Sequence, residues 1–454
     1  MSSFIKQIKQ FLIHYEAPIV YIIGLMLFAA LVSRIKSGLQ TTACADGRCL
    51  VVTAQSILNG ISPYFEEIWR ELGMIPLQSP SVSLIIMPVC FFSRVYQNLF
   101  FFFVPLLFYY AFVIMVFYYY GLHPKDYLKP RWSSIPIWII LVLVLSSSPL
   151  MLMLSAGQLS SITAAFLFAA LLFPERDKSV NFLFLGLAAA IKYSLLTFQV
   201  PLLLLQKRFR LAITGFVLFA ILVLSVGLWL DGIIPAFVEY VRMLLDDVQH
   251  GYNSYSKGGE PTFLYIGFFK FSILNFLFKA GIVAVYAFVL WKVYCRDKEN
   301  KSSEYALHLS CAEWALFTVM TCLISYHRLH DGVIFMPFLG VLFLQQYKQN
   351  SSSDRIKSVL LLLFLLFWAC PRKIILHIGE MIATNFPAGT KLVWYGSMKI
   401  EGGRLVSFPI YQCVILLMLI LLSWIVFSDH QTKTADAAVH VSPSPSPAEG
   451  QKQS

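Results

Sequence analysis

Two stretches decide what surrounds this chain. They are Ile135-Pro-Ile-Trp-Ile-Ile-Leu-Val-Leu-Val-Leu145 and Val359-Leu-Leu-Leu-Leu-Phe-Leu-Leu-Phe-Trp368, and neither carries a charge. Runs of this kind are either the heart of a large soluble core or segments whose solvent is lipid. Composition separates the two: 58% of the 454 residues are hydrophobic and 13% charged, against roughly 45–50% and about 25% in soluble domains. A core of ordinary size cannot hide that much apolar surface, and a chain in lipid must satisfy its own backbone, so the expected fold is an all-α polytopic membrane protein. A cytosolic enzyme, a DNA-binding module and a disordered adaptor are excluded. The net charge of +11 does not point to a nucleic-acid partner either, because the basic residues sit in short clusters between apolar runs, where they act as positive-inside topology determinants.

Outward from these runs, spans are expected near 18–32, 98–120, 135–153, 156–173, 211–230, 273–294, 306–325, 331–346, 358–371 and 408–428. Lys6 and Lys9 before the first span, with Arg34 and Lys36 after it and no small-residue cleavage site, make it an uncleaved anchor. The loops Lys125–Arg131, Glu175–Lys178, Gln206–Arg210, Arg296–Lys301 and Gln345–Lys357 then fall inside, and Asp231–Pro261, His327–Asp331 and Pro371–Val406 outside. Val82–Phe92 is short and Asn181–Leu205 joins two inside loops, so each is a re-entrant hairpin or a pair of short helices. The count is about 10–13 transmembrane helices.

The domain organisation is a cytoplasmic N-terminus (1–16), a polytopic catalytic domain (17–428) and a disordered cytoplasmic tail (429–454) with Ser-Pro repeats. The first external loop, 33–79, holds apolar patches at Leu50–Ile57 and Ile68–Leu72 suited to helices lying in the interface. The abundant Phe, Tyr and Trp are expected mostly at lipid-facing and interfacial positions. No Gly-rich phosphate loop is present, so the energy for any reaction comes from elsewhere, such as an activated substrate.

Polar residues in this setting are few. Asp46, in Cys44-Ala-Asp-Gly-Arg-Cys49, is placed to act as a general base on a hydroxyl at the membrane surface, although the same pattern suits a solvated loop Asp beside a turn Gly. The flanking cysteines either pair in an oxidising compartment or remain free thiols. Lys192 ends the apolar Gly186-Leu-Ala-Ala-Ala-Ile-Lys192, where it either meets a phosphate or carboxylate or snorkels to nearby headgroups. Gln158, in Ser155-Ala-Gly-Gln-Leu-Ser-Ser, is substrate-facing or helix–helix glue. In Ser325-Tyr-His-Arg-Leu-His-Asp331, Arg328 and His327 suit an anion. His327, His330 and Asp331 are also a weak zinc set, without a supporting partner motif, or an ordinary polar hairpin. Asp246, Asp247, His250, Tyr252 and Tyr255 combine acidic and aromatic groups of the kind that bind sugars, and are equally ordinary loop residues.

The order of these signals resembles the family 87 glycosyltransferases, polytopic proteins of the GT-C class that include polyprenol-phosphate-mannose-dependent mannosyltransferases. The features in question are Asp46 with Gly60, Pro63 and Tyr64 after it, the Pro-bearing segment Ser79-Pro80 to Pro88, Gly157-Gln158 opening a span, Gly186 to Lys192, and Ser325 to His327. The sequence departs from the family at Gly47-Arg48-Cys49-Leu50 and in lacking a proline soon after Lys192.

The resemblance implies a GT-C-like bundle and an inverting transfer of a sugar, mannose or a pentose, from a polyprenyl-phosphate donor. The acceptor it implies is a hydroxyl of a lipid or glycan on the extracytoplasmic side, and the composition fits the inner membrane of a bacterium as the expected setting. It implies Asp46 as base, Arg328, His327 and Lys192 on the donor phosphate, and Tyr64, Gln158, His330 and Asp331 lining the cavity, with no metal and no cofactor. A transporter or flippase for a lipid-linked or small polar solute is the alternative from another class, and a non-catalytic envelope scaffold a third.

Overall fold

The computed structural model describes residues 10, 13–40, 45–64, 80–123, 125, 129, 131–172, 179–192, 209–230, 232–250, 272–299, 310–324, 329–349, 351–371, 373–375, 377–378, 381, 400–401, 404–405 and 410–439. The fold is all-α. In chain order the helices are α1 (Glu16–Gln40), α2 (Ala45–Leu58), α3 (Pro80–Ile86), α4 (Arg94–Tyr119), α5 (Ile135–Leu145), α6 (Ser148–Ala156), α7 (Ser160–Leu172) and α8 (Ser179–Lys192). They continue as α9 (Phe209–Ser225), α10 (Ile233–His250), α11 (Ser272–Glu299), α12 (Cys311–Ile324), α13 (Met336–Lys348), α14 (Ser352–Ala369) and α15 (Ile410–Val439). A two-residue hairpin, Ile400–Glu401 against Arg404–Leu405, is the one strand pair among the described residues.

Among the described residues four segments are long and apolar enough to cross a membrane, Glu16–Ser33, Arg94–Tyr119, Trp132–Ala156 and Phe209–Leu228, and the apolar stretches Pro80–Phe91, Ser160–Ala170, Leu183–Lys192, Val283–Lys292 and Cys413–Ser428 are shorter. The expected span 135–153 is broken, since α5 stops at Leu145 and α6 restarts at Ser148. Pro149 explains the break: its ring collides with the carbonyl four residues back, that of Leu145, and suits the first turn of a new helix. Val82–Phe92 resolves into short α3 followed by a 3-10 turn, Met87–Phe91. Of Asn181–Leu205, α8 is described and residues 193–208 lie outside the described residues. At the C-terminus α15 continues to Val439, into the segment expected as a tail; 440–454 lie outside the described residues.

Side-chain contacts tie distant parts of the chain together. Glu16 accepts from the Trp132 backbone N–H (2.6 Å), and Lys357, buried near the start of α14, donates to Ser428 late in α15 (2.7 Å). The N-terminus of α2, the α6–α7 turn, the C-terminus of α8 and a 3-10 turn, Leu329–Ile334, that leads into α13 converge through their side chains.

The centre is packed with rings. Phe112, Phe168 and Phe338 meet edge to face, and Trp314 stacks on Phe338 at 5.8 Å. Phe101, Phe102, Phe117, Phe317, Phe335 and Trp368 are also buried, while Phe91, Phe103, Phe216 and Trp291 are exposed. In lipid there is little hydrophobic drive between helices, so shape-complementary rings and small residues do the packing. α8 and α9 show the second device, with Gly186 receiving Leu218 and Gly215 receiving Leu185; an added Cβ would sit 2.5 and 2.6 Å from those side chains.

Candidate active site

α2 is the element that brings Asp46 to the bundle. Its apolar residues Leu50, Val51, Ala54 and Ile57 recur at helical spacing and are buried. Leu50, Val51 and Ala54 pack with Val82, Ile86, Phe101, Leu159 and Ile191. That face is therefore covered by protein. The second patch, Ile68–Leu72, lies outside the described residues.

The N-terminus of α2 rests on the turn between α6 and α7. Gly157 closes α6 in the left-handed region (φ 73°), with the Gln158 N–H bonded to the Met153 carbonyl and its own N–H to that of Leu154. This paired capping pattern favours glycine. The approach is close enough to demand glycine twice: a Cβ on Gly157 would lie 3.0 Å from Gly47 Cα and N, and one on Gly47 would lie 2.8 Å from the Phe101 ring. The two glycines let Gln158 Nε2 reach Asp46 Oδ2 at 2.5 Å. Asp46 stands in the first turn of α2, where the helix dipole favours a negative charge, and remains partly exposed.

Two residues on, the same turn makes a second polar contact. Ser160 Oγ donates to Asp331 Oδ1 at 2.5 Å, and Lys192 Nζ meets the same oxygen at 2.5 Å and Ser160 Oγ at 3.3 Å. The Asp331 side chain is 1% exposed and that of Lys192 19%. Lys192 is the last residue of α8, so the dipole there favours its positive charge. Of the two readings of Lys192, the structure shows the carboxylate partner and not a snorkelling amine. Leu159, between Gln158 and Ser160, and Ile191, before Lys192, point into the apolar cluster under α2. A polar belt from Asp46 through the Gln158–Ser160 turn to Asp331 and Lys192 thus lies over an apolar floor.

Gln158, Asp46, Lys192 and Asp331 are therefore brought together although 285 positions separate Asp46 from Asp331 in the numbering. Tyr64 is buried elsewhere, edge-on to Tyr240 of α10 at 5.2 Å and beside Met243. Its hydroxyl lies near that of Ser83, both buried and without a hydrogen bond of full geometry, and burial pushes the phenol's pKa up. Cys49 carries a free thiol one turn after Asp46; burial, followed by the Asp46 charge, pushes its pKa up to about 11, against a contact from Thr53 that lowers it. Its expected pairing partner Cys44 lies outside the described residues, as do His327, Arg328, Tyr252 and Tyr255. His330 is described only as a position in the 3-10 turn, and Asp246, Asp247 and His250 only as positions in α10. Among the described residues no three His, Cys, Asp or Glu side chains converge as a metal site would need.

The residue the sequence reading missed is Ser160. It stands next to Gln158 in a small polar run, and a hydroxyl opening a helix ordinarily bonds its own backbone. Its reach to Asp331 is a tertiary fact without a local signal. Chemically the belt offers one sealed carboxylate, engaged by Lys192 and Ser160, and one half-exposed carboxylate, Asp46, held by an amide. Of the two, Asp46 is the one open to a substrate.

No curated protein and no solved structure matches the chain. Residues 78–325, which contain Gln158, Ser160 and Lys192 and leave Asp46 and Asp331 outside, match the model of Glycosyltransferase family 87. That match spans more than half of the 454 residues, and with the polytopic helical fold around it, the chain belongs to glycosyltransferase family 87.

Proposed function

We propose that this glycosyltransferase moves a sugar, mannose or a pentose, from a polyprenyl-phosphate donor to a hydroxyl of a lipid or glycan acceptor, with inversion. The reaction takes place on the extracytoplasmic side of a bacterial inner membrane. The observation that carries the reading is the single turn Gln158-Leu159-Ser160, which holds the half-exposed Asp46 carboxylate on one side and the Asp331–Lys192 pair on the other. A base and a cation at fixed separation are what displacement of a phosphate by a hydroxyl requires.

In this scheme Asp46 takes the acceptor's proton as its oxygen attacks the anomeric carbon. The bond from that carbon to the phosphate oxygen breaks on the opposite face, and the polyprenyl phosphate leaves with the electron pair. Lys192, with Arg328 and His327 of the adjoining segment, meets the charge that grows on the phosphate. Gln158 stands beside the acceptor at Asp46, Asp331 is sealed and positions Lys192, and Tyr64, buried against α10, does not line this belt. The donor carries its own energy, in keeping with a sequence that has no nucleotide loop. Membership of a glycosyltransferase family favours this reading over a transporter or a scaffold.

The test is transfer from a panel of radiolabelled polyprenyl-phosphate sugars to membrane lipid extract, comparing the purified protein with Asp46→Asn and Asp46→Ala. Loss of about 100-fold or more in both variants, with unfolding temperature unchanged, supports Asp46 as base. Transfer that survives both substitutions removes Asp46 from the chemistry.

A further inference from the structure

α10 presents two faces of opposite character. Ile234, Phe237, Val238 and Val241 recur at three- and four-residue spacing, and all four are exposed, Ile234 at 75%. At about 100° per residue they form one stripe. Glu239, Tyr240 and Met243 lie on the far side of the same cylinder. That side is docked: Glu239 Oε2 accepts from Ser62 Oγ at 2.7 Å, and Tyr240 and Met243 pack on Tyr64.

Two observations identify what covers the exposed stripe. The first is continuity. α9 is long and apolar enough to cross a membrane and exposes Ile213, Phe216 and Ile221. Its exposed surface runs on through Leu228 (76% exposed) and Trp229 to Ile234 across the short turn before α10. The second is charge. Glu239, Arg242, Asp246 and Asp247 make α10 too polar to cross a bilayer, while Arg242 is exposed at the edge of the stripe. A strongly amphipathic helix with a cation flanking its apolar face is the composition that lies in a membrane interface, with the cation among headgroup phosphates.

The geometry points to α10 as a membrane-seated strut: its Ile234–Val241 face lies at the boundary of headgroups and acyl chains, and its opposite face holds the Ser62–Tyr64 turn. That turn follows α2, so the bilayer surface bears through α10 on the helix that carries Asp46. The seating in lipid stands on exposure, continuity and charge; only its effect on catalysis rests on the function proposed above. The occupant is phospholipid, not a second copy of the chain.

Photocrosslinking tests it in the full chain, reconstituted in nanodiscs of phosphatidylethanolamine and phosphatidylglycerol. Phe237→p-benzoylphenylalanine and Val241→p-benzoylphenylalanine are irradiated beside the same substitution at Phe216, on the exposed face of α9, and at Gln55, on the exposed polar side of α2. Intact mass is expected to rise by one phospholipid at 237 and 241, in yield within about threefold of that at 216, with no lipid adduct at 55. A lipid adduct at 216 with none at 237 and 241, or adducts there to a second copy, overturns the proposal. Because no sugar transfer is read, an error in the assigned donor or base leaves this outcome untouched.

Discussion

Lys192 and Asp331 meet at 2.5 Å across 139 residues of chain, and the carboxylate is sealed while the ammonium keeps one side open. The asymmetry matters. A buried ion pair contributes little net stability against an apolar replacement, yet removing one side leaves a buried charge without its counter-charge. Ser160 takes part of the Asp331 charge, so the open side of the ammonium is the part of the belt that can turn to an incoming anion.

Lys192→Met is therefore expected to destabilise the protein by about 3–5 kcal/mol, because Asp331 is left buried and charged. The double variant Lys192→Met/Asp331→Asn recovers most of that loss, as no buried charge remains. Thermal unfolding in one detergent reads the stability. Transfer in the double variant stays about 100-fold or more below the unaltered protein, with a raised donor KM, if Lys192 meets the phosphate. Recovery of activity together with stability makes the pair structural only.

Two left-handed glycines separate backbone strain from close approach. Gly60 (φ 72°) has its nearest neighbour, the Trp229 carbonyl oxygen, at 3.7 Å, whereas a Cβ on Gly157 lies 3.0 Å from the Gly47 backbone. Gly60→Ala should cost only the conformational term, about 1–2 kcal/mol, and keep transfer. Gly157→Ala pays the same term and must also push α2 away, which parts Gln158 from Asp46. Larger loss of transfer in Gly157→Ala than in Gly60→Ala, at matched temperature below both unfolding midpoints, is the expected result. Equal losses would detach the α2 contact from function.

Cys49 reports on Asp46 without chemistry. With its pKa raised from 9.0 to about 11, the thiol is about 0.3% ionised at pH 8.5, and the thiolate is the form that reacts. Iodoacetamide labelling of the Cys49 peptide should be slow there and climb toward pH 11; Asp46→Asn, by removing a negative neighbour, speeds it at fixed pH. The linked effect on stability has a definite sign. Between about pH 9 and 11 the unfolded chain gives up this proton and the folded one keeps it, so this group's contribution to stability falls as pH rises through that window. A peptide that labels only after reduction would instead show the Cys44–Cys49 pair.

The helices were legible because lipid imposes a harsh rule on sequence: a span must be apolar along its whole length, and charges mark its ends. The break before α6 was not read: 135–153 was expected as one span, and Pro149 against the carbonyl of Leu145 accounts for the interruption. Gln158 and Lys192 stood out singly, as polar groups among small or apolar neighbours, whereas Asp46 was read in a polar loop and Asp331 as one member of a polar cluster. Their pairing did not stand out, because Asp46 and Gln158 are 112 residues apart and nothing local encodes an approach that depends on two glycines and Phe101. Which rings are buried was not legible, for a related reason. A phenylalanine facing lipid and one facing another helix have the same local sequence, and only the packed bundle tells Phe338 from the exposed Phe216.

Gln158 is the residue through which the belt reaches Asp46, and changing it alters the proposed base without touching it. Gln158→Glu exchanges a donor for a second carboxylate at nearly the same volume, 2.5 Å from Asp46 Oδ2 in the present geometry. Two carboxylates in contact cannot both remain ionised without cost, so one proton is held by the pair to higher pH. The acid side of the pH–rate profile is expected to move up by about one unit or more, and the variant to regain activity as pH rises. Gln158→Ala, which removes the donor and adds no charge, should lower kcat at every pH without moving the profile. An unmoved profile in Gln158→Glu, with the protein folded, would mean that the carboxylate it touches is not the one that takes the proton.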